Sequence, residues 1–120
     1  MKIAITSQGT DLDSQVDPRF ARARYFIVLD SNTGDFEAVD NSQTASAMHG
    51  AGPQAAMTIS RHDVKVVLTG HCGPNAFQSL KAAGIQVITD VSGTVREAVE
   101  KFKAGELKSA EGADVQGHWM

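Results

Sequence analysis

Cysteine is scarce in this 120-residue chain, where Cys72 is the only one. A lone thiol excludes an internal disulfide, and it equally excludes the four-thiolate cage that holds structural zinc or an iron–sulfur cluster. Any metal bound here has to be held in some other way. A basic excess is missing too. With 11 Lys and Arg against 14 Asp and Glu, the formal net charge is −3, and a phosphate-tracking surface would carry the opposite balance. Nucleic acid is therefore not expected as a partner. No apolar run approaches the ~20 residues of a membrane-crossing helix, and Met1-Lys2-Ile3 leads directly into a strand pattern rather than a signal peptide. The expectation is a cytoplasmic chain with no membrane partner.

What is present suits one domain. Apolar residues make up 42% and charged residues 21%, near globular averages, and the length allows a single core in two or three layers. Residues 2–7 and 25–30 are rich in β-branched and aromatic side chains and read as strands. Asn32-Thr33-Gly34-Asp35 is a turn that folds 25–30 back on 36–41 as a hairpin. From Gly52-Pro53 the pattern alternates: helix 53–62, strand 64–70, helix 74–83, strand 85–90, helix 94–104. Val64, Val66, Val67 and Leu68 suit a strand covered on both faces. Met57, Ile59, Phe77 and Leu80 read as core, and His62 as a surface or helix-capping residue. Thr94 and Glu97 form a capping box, and Gly105 can stop the helix that follows. These elements imply an α/β layered domain over 1–107 with a polar tail over 108–120. Within the tail, Asp114 to Met120 is expected to fray, His118 and Trp119 with it.

Two helix entrances echo each other. HGAGPQAAM (49–57) and HCGPNAF (71–77) each place a histidine just before a Gly-Pro pair, then a polar residue and alanine. Pro53 and Pro74 suit the first helical position, and Gly52 and Gly73 let the backbone approach whatever lies outside. A helix N-terminus offers free N–H groups and roughly half a positive charge, so it attracts anions without a lysine. Right-handed crossovers place such entrances at the C-terminal edge of the parallel strands. The expected result is a shallow pocket lined by Met48, His49, Gly50, Ala51, Gly52, His71, Cys72 and Gly73.

A thiol at a helix N-terminus beside a histidine favours the thiolate, which both a nucleophile and a soft-metal ligand require. Nucleophilic catalysis needs an oriented base as well. His71 is adjacent in sequence and poorly placed for that work, so His49 would have to serve, and no carboxylate is nominated to orient it. A buried, inert Cys72 is the other reading. Arg19, Arg22 and Arg24 form a local cationic cluster, fit either for an anion or acidic partner or for pairing with Asp13 and Asp17. Asp11, Asp13, Asp17, Asp30 and Asp40 show no spacing that fixes a two-metal site.

The segments VDPRFARARYF (16–26), HGAGP (49–53) and LTGHCGPNAF (68–77) with LKAAGI (80–85) resemble the dinitrogenase iron-molybdenum cofactor-biosynthesis family. Its members are small proteins that hold or ferry metal–sulfur clusters. The resemblance runs from Met1 to about Leu107 and departs at Ala21, where many members have glycine. It implies a ribonuclease H-like α/β layered fold, with a mixed five-stranded sheet in the order 3-2-1-4-5 and strand 2 antiparallel. Within the family, the short single-cysteine form carries a molybdenum–copper sulfide cluster without covalent attachment. The resemblance carries cluster holding onto the loops from His49 to Pro53 and from His71 to Pro74, and onto Arg19. Cys72, His49 and His71 are candidate metal ligands, though such a cluster brings its own sulfides and requires none of them. The implied role is a non-enzymatic carrier. Two alternatives stay open: a cofactor-free adaptor, for which ParA/MinD-type ATPases are the family-implied partner, and a thiol redox sensor using Cys72.

Overall fold

A computed structural model describes residues 1–109. The strands are β1 (Lys2–Ser7), β2 (Tyr25–Asp30), β3 (Phe36–Asp40), β4 (Val64–Leu68) and β5 (Gln86–Ile88). The helices are α1 (Ser42–Ala45), α2 (Ala51–Arg61), α3 (Pro74–Ala82) and α4 (Val95–Lys103). The five strands form one sheet in the order β3-β2-β1-β4-β5. β2 is antiparallel to both of its neighbours, while β1, β4 and β5 are parallel. This is the mixed α/β sheet that the resemblance implies.

Alternation along the strands divides the apolar residues between two faces. Ala4, Phe26, Val28 and Val67 pack under α2 and α3 with Ala55, Ile59, Ala76 and Leu80. Ile3, Ile5, Ile27, Leu29, Val66 and Leu68 face α4 through Val95, Ala98 and Val99. Gly34 turns the β2–β3 hairpin at φ +81°, a conformation that favours glycine. The capping box of α4 is complete: the Thr94 hydroxyl accepts from the Glu97 N–H, and the Glu97 carboxylate accepts from the Thr94 N–H.

Several expected boundaries shift. α2 starts at Ala51, two residues before the expected start, so Pro53 occupies the third helical position rather than the first. Proline is tolerated there because that N–H has no acceptor within the helix either. The buried stripe of α2 carries Ala51, Ala55, Ala56 and Ile59. Met57 falls off that stripe and is 53% exposed rather than core. Ile59 and Leu80 are buried, Phe77 packs against the core half-buried, and His62 is the C-terminal cap of α2. α1 was not expected, β4 ends at Leu68 rather than at residue 70, and β5 spans Gln86–Ile88 rather than 85–90. Of the expected 108–120 tail, only Lys108 and Ser109 lie within the described residues, both exposed; the fraying expected of Asp114 to Met120, with His118 and Trp119, lies outside them. Among the described residues, no helix is long and apolar enough to cross a membrane.

Candidate functional site

The entrances of α2 and α3 meet at one edge of the sheet. Gly52, in the first turn of α2, approaches the α3 backbone so closely that a β-carbon on it would lie 3.0 Å from the Ala76 nitrogen. Beside this contact is an open concavity of about 290 Å³. Met48 to Pro53 line one side, Gly73 to Ala76 the other, and Ala21 and Arg22 close it. Among the described residues, Arg22 is the one lysine or arginine in its lining, and no carboxylate takes part.

The three long helices differ at their starts. At α4 every early donor is occupied within the protein: Val95 N–H by Ser14 O, Arg96 N–H by Leu12 O and Glu97 N–H by the Thr94 hydroxyl. α2 and α3 have no side-chain cap and no acidic residue in the first turn. Gly50 precedes α2 at φ +73° in the left-handed region, whereas Gly73 precedes α3 in extended backbone at φ −71°. A β-carbon at Gly73 would meet no heavy atom within 4 Å. The partial positive charge of two helix ends is thus left uncompensated by protein anions on the side that faces the concavity.

The predicted site residues separate into two groups. Met48, His49, Gly50, Ala51, Gly52, Pro53, Gly73 and Pro74 line the concavity together, and Met48 is 86% exposed there. Cys72 and His71, expected in the lining, are not part of it. Cys72 is 1% exposed and packs in the core beneath α2 and α3 with Phe20, Ala76 and Leu80. His71 is exposed and pairs instead with Arg19 in an isolated parallel bridge, and its carbonyl accepts from the Phe20 N–H at 3.1 Å. Gly70 allows this crossing, since a β-carbon there would lie 2.7 Å from the Pro18 Cα. Cys72, His49 and His71 do not converge: among the described residues, no three His, Cys, Asp or Glu side chains form a metal-ligating group.

The arginine cluster separates as well. Arg19 is held by Asp17, whose side chain is 4% exposed and accepts from the Arg19 N–H at 3.0 Å and Nε at 3.4 Å. Asp17 is fixed in turn through its backbone, its N–H donating to Thr6 O and its carbonyl accepting from the Thr6 hydroxyl. Arg24 lies 5.7 Å from the centre of the Tyr25 ring. Arg22 reaches the carbonyls of Ala45 and Ala47, and the Asn41 amide returns two bonds to the carbonyls of Ala21 and Ala23. Asn41 was missed in the sequence because its partners lie 18 and 20 residues away. Arg22 was visible only as one of three arginines.

The orange protein of Desulfovibrio gigas, in its apo form, is similar over 94% of this chain and 95% of its own, with 46% identity and a TM-score of 0.92. A putative NifB protein from Thermotoga is 39% identical over 97% of this chain and 98% of its own, with a TM-score of 0.84. An uncharacterized protein of Methanocaldococcus jannaschii is 26% identical over 114 residues, which is 92% of each chain. The family model described as dinitrogenase iron-molybdenum cofactor matches residues 1–105, and the chain belongs to that family.

Proposed function

We propose that this protein is a non-enzymatic carrier of a metal–sulfur cluster, held without covalent attachment between the entrances of α2 and α3. One observation carries the reading: two uncapped, acid-free helix starts open on the same concavity, while the third long helix has its early donors occupied within the protein. Such a surface suits an anion whose own ligands complete its metals. A bare metal ion would need several protein donors in one place, and that arrangement is absent among the described residues. Exposed Met48 adds a soft, polarizable surface for sulfide ligands.

The cargo we propose is a molybdenum–copper sulfide cluster. The resemblance of the single-cysteine form supports it, as does the likeness to the orange protein. A thiomolybdate–copper assembly is an anion with sulfide around every metal, so backbone N–H groups and one arginine can hold it and Cys72 need not bind it. The burial of Cys72 favours this reading over thiol chemistry, which needs an accessible thiolate. The test is an anaerobic titration of the metal-free protein with tetrathiomolybdate and copper(I), followed by visible absorption and amide NMR shifts. The expected result is a saturable colour with shifts concentrated at residues 48–53 and 73–76. A lack of stoichiometric colour, or shifts spread without pattern, overturns the proposal in favour of an adaptor role.

A further inference from the structure

We propose that Arg22 is the specificity-determining residue of this concavity: one part of its guanidinium positions the wall that carries Met48 and His49, and the remaining donors recognise the anion. The inference rests on the cluster-carrier reading. Of the three clustered arginines, Arg22 alone lines the concavity; Arg19 is engaged by Asp17, and Arg24 lies over Tyr25. The two hydrogen bonds of Arg22 both leave from Nη1, to Ala45 O and Ala47 O. Its Nε and Nη2 donors have no protein partner among the described residues. Those donors form the planar side-on fork that meets two neighbouring acceptor atoms of one anion. A tetrahedral thio-anion presents such a pair along each edge.

The fork is oriented from both sides. Asn41 grips the carbonyls of Ala21 and Ala23, the residues flanking Arg22, at 3.0 and 2.8 Å, while its own N–H donates to Arg24 O. Arg22 reaches back to the end of α1, so segments 21–24 and 41–47 fasten each other, and the chain leaving this clamp carries Met48, His49 and Gly50 into α2. Recognition and wall placement therefore share one side chain. Lysine at this position would keep the charge and could satisfy a carbonyl, but it has no fork.

The test uses the full chain with tetrathiomolybdate alone as the probe, then with copper(I). Wild type, Arg22→Lys, Arg22→Gln and Asn41→Ala are compared by absorption titration at several salt concentrations and by amide hydrogen exchange over residues 45–50. A dispersed amide spectrum of each metal-free variant establishes folding, and Arg22→Lys remains decisive should Arg22→Gln fail to fold. Arg22→Lys is expected to weaken probe binding by roughly tenfold or more, and Arg22→Gln to weaken it further with a shallower salt dependence. Asn41→Ala is expected to speed exchange over 45–50 and to weaken probe binding by clearly less than Arg22→Gln does, because the clamp that orients the fork is loosened while the Arg22 donors remain. Wild-type affinity in Arg22→Lys, or an equal loss in Asn41→Ala and Arg22→Gln, overturns the proposal and leaves Arg22 a scaffold residue with the carrier reading intact. Failure of the wild-type chain to take up the probe with or without copper overturns both.

Discussion

Gly52 of α2 lies so near Ala76 of α3 that a β-carbon on it would stand 3.0 Å from the Ala76 nitrogen and 3.2 Å from the Ala76 Cα. The contact locks the two helix starts together, and it determines what alanine does at position 52. Replacing glycine inside a helix favours folding by about 1 kcal/mol, while forcing two backbones apart by a few tenths of an ångström costs a similar amount. Gly52→Ala is therefore expected to unfold within about 1 kcal/mol of wild type but to bind the cluster more weakly, because the entrances are spread. Denaturant melts and the colour titration on the same sample check the two halves; a large stability loss with unchanged binding contradicts this account.

Gly50 and Gly73 precede the two helices in different backbone conformations, so alanine should act oppositely at each. At Gly50 the φ of +73° strains any β-carbon, and Gly50→Ala is expected to cost ~1–2 kcal/mol of stability. At Gly73 the extended backbone accepts a side chain and nothing lies within 4 Å. Gly73→Ala should keep the wild-type melting temperature and lose cluster affinity, since the added methyl stands where the anion approaches. Thermal unfolding and titration of the pair distinguish strain from occlusion.

Cys72 is enclosed by core residues, and its substitutions should read as packing changes. Cys72→Ala is expected to lower stability by ~1 kcal/mol and to retain stoichiometric colour. Cys72→Ser, which buries a hydroxyl in place of a thiol, should cost ~1–3 kcal/mol. In the native protein Cys72 should react slowly with iodoacetamide, and quickly once the protein is denatured. Loss of the cluster in a folded Cys72→Ala variant would restore the thiol as a ligand.

The α4 capping box makes stability depend on pH in a defined direction. The Thr94 backbone N–H, followed by the Thr94 hydroxyl, holds the Glu97 carboxyl below the ordinary glutamate range. Because the folded value is the lower one, this contribution is complete above the unfolded-state value and is lost as pH falls through the folded value. Thr94→Ala is expected to destabilise by ~1 kcal/mol near neutral pH. The stability difference between wild type and Glu97→Gln should shrink as the pH falls through the acidic range, read from urea midpoints. A difference independent of pH would remove the carboxylate from the account.

Legibility followed the range of the interactions. The Thr94–Glu97 box, the Gly34 turn and the apolar run of β4, interrupted by Lys65 alone, are local patterns, readable because their partners lie within a few residues. Met57 reads as core by its apolar side chain alone, but it stands two residues, about 200° around α2, from buried Ile59, so one stripe cannot hold both. The edge strand β3 was legible as half of a hairpin, but its exposure, with only Val39 partly covered, follows from its place at the end of the sheet.

By itself the sequence determined the type and order of the main elements, the absence of any thiolate cage, and the two echoing helix entrances. Each of these depends on composition or on contacts within a turn or two. Only the tertiary structure decided that the entrances face one concavity, that Cys72 lies in the core beneath it, that His71 belongs with Arg19, and that Arg22 rather than Arg19 reaches the lining. The physical reason is the crossover topology. A side chain's register along its own strand or helix is a local property, but the surface it meets is set by the packing of α2 against α3 over a shared sheet, through close approaches such as Gly52 to Ala76 and Gly70 to Pro18.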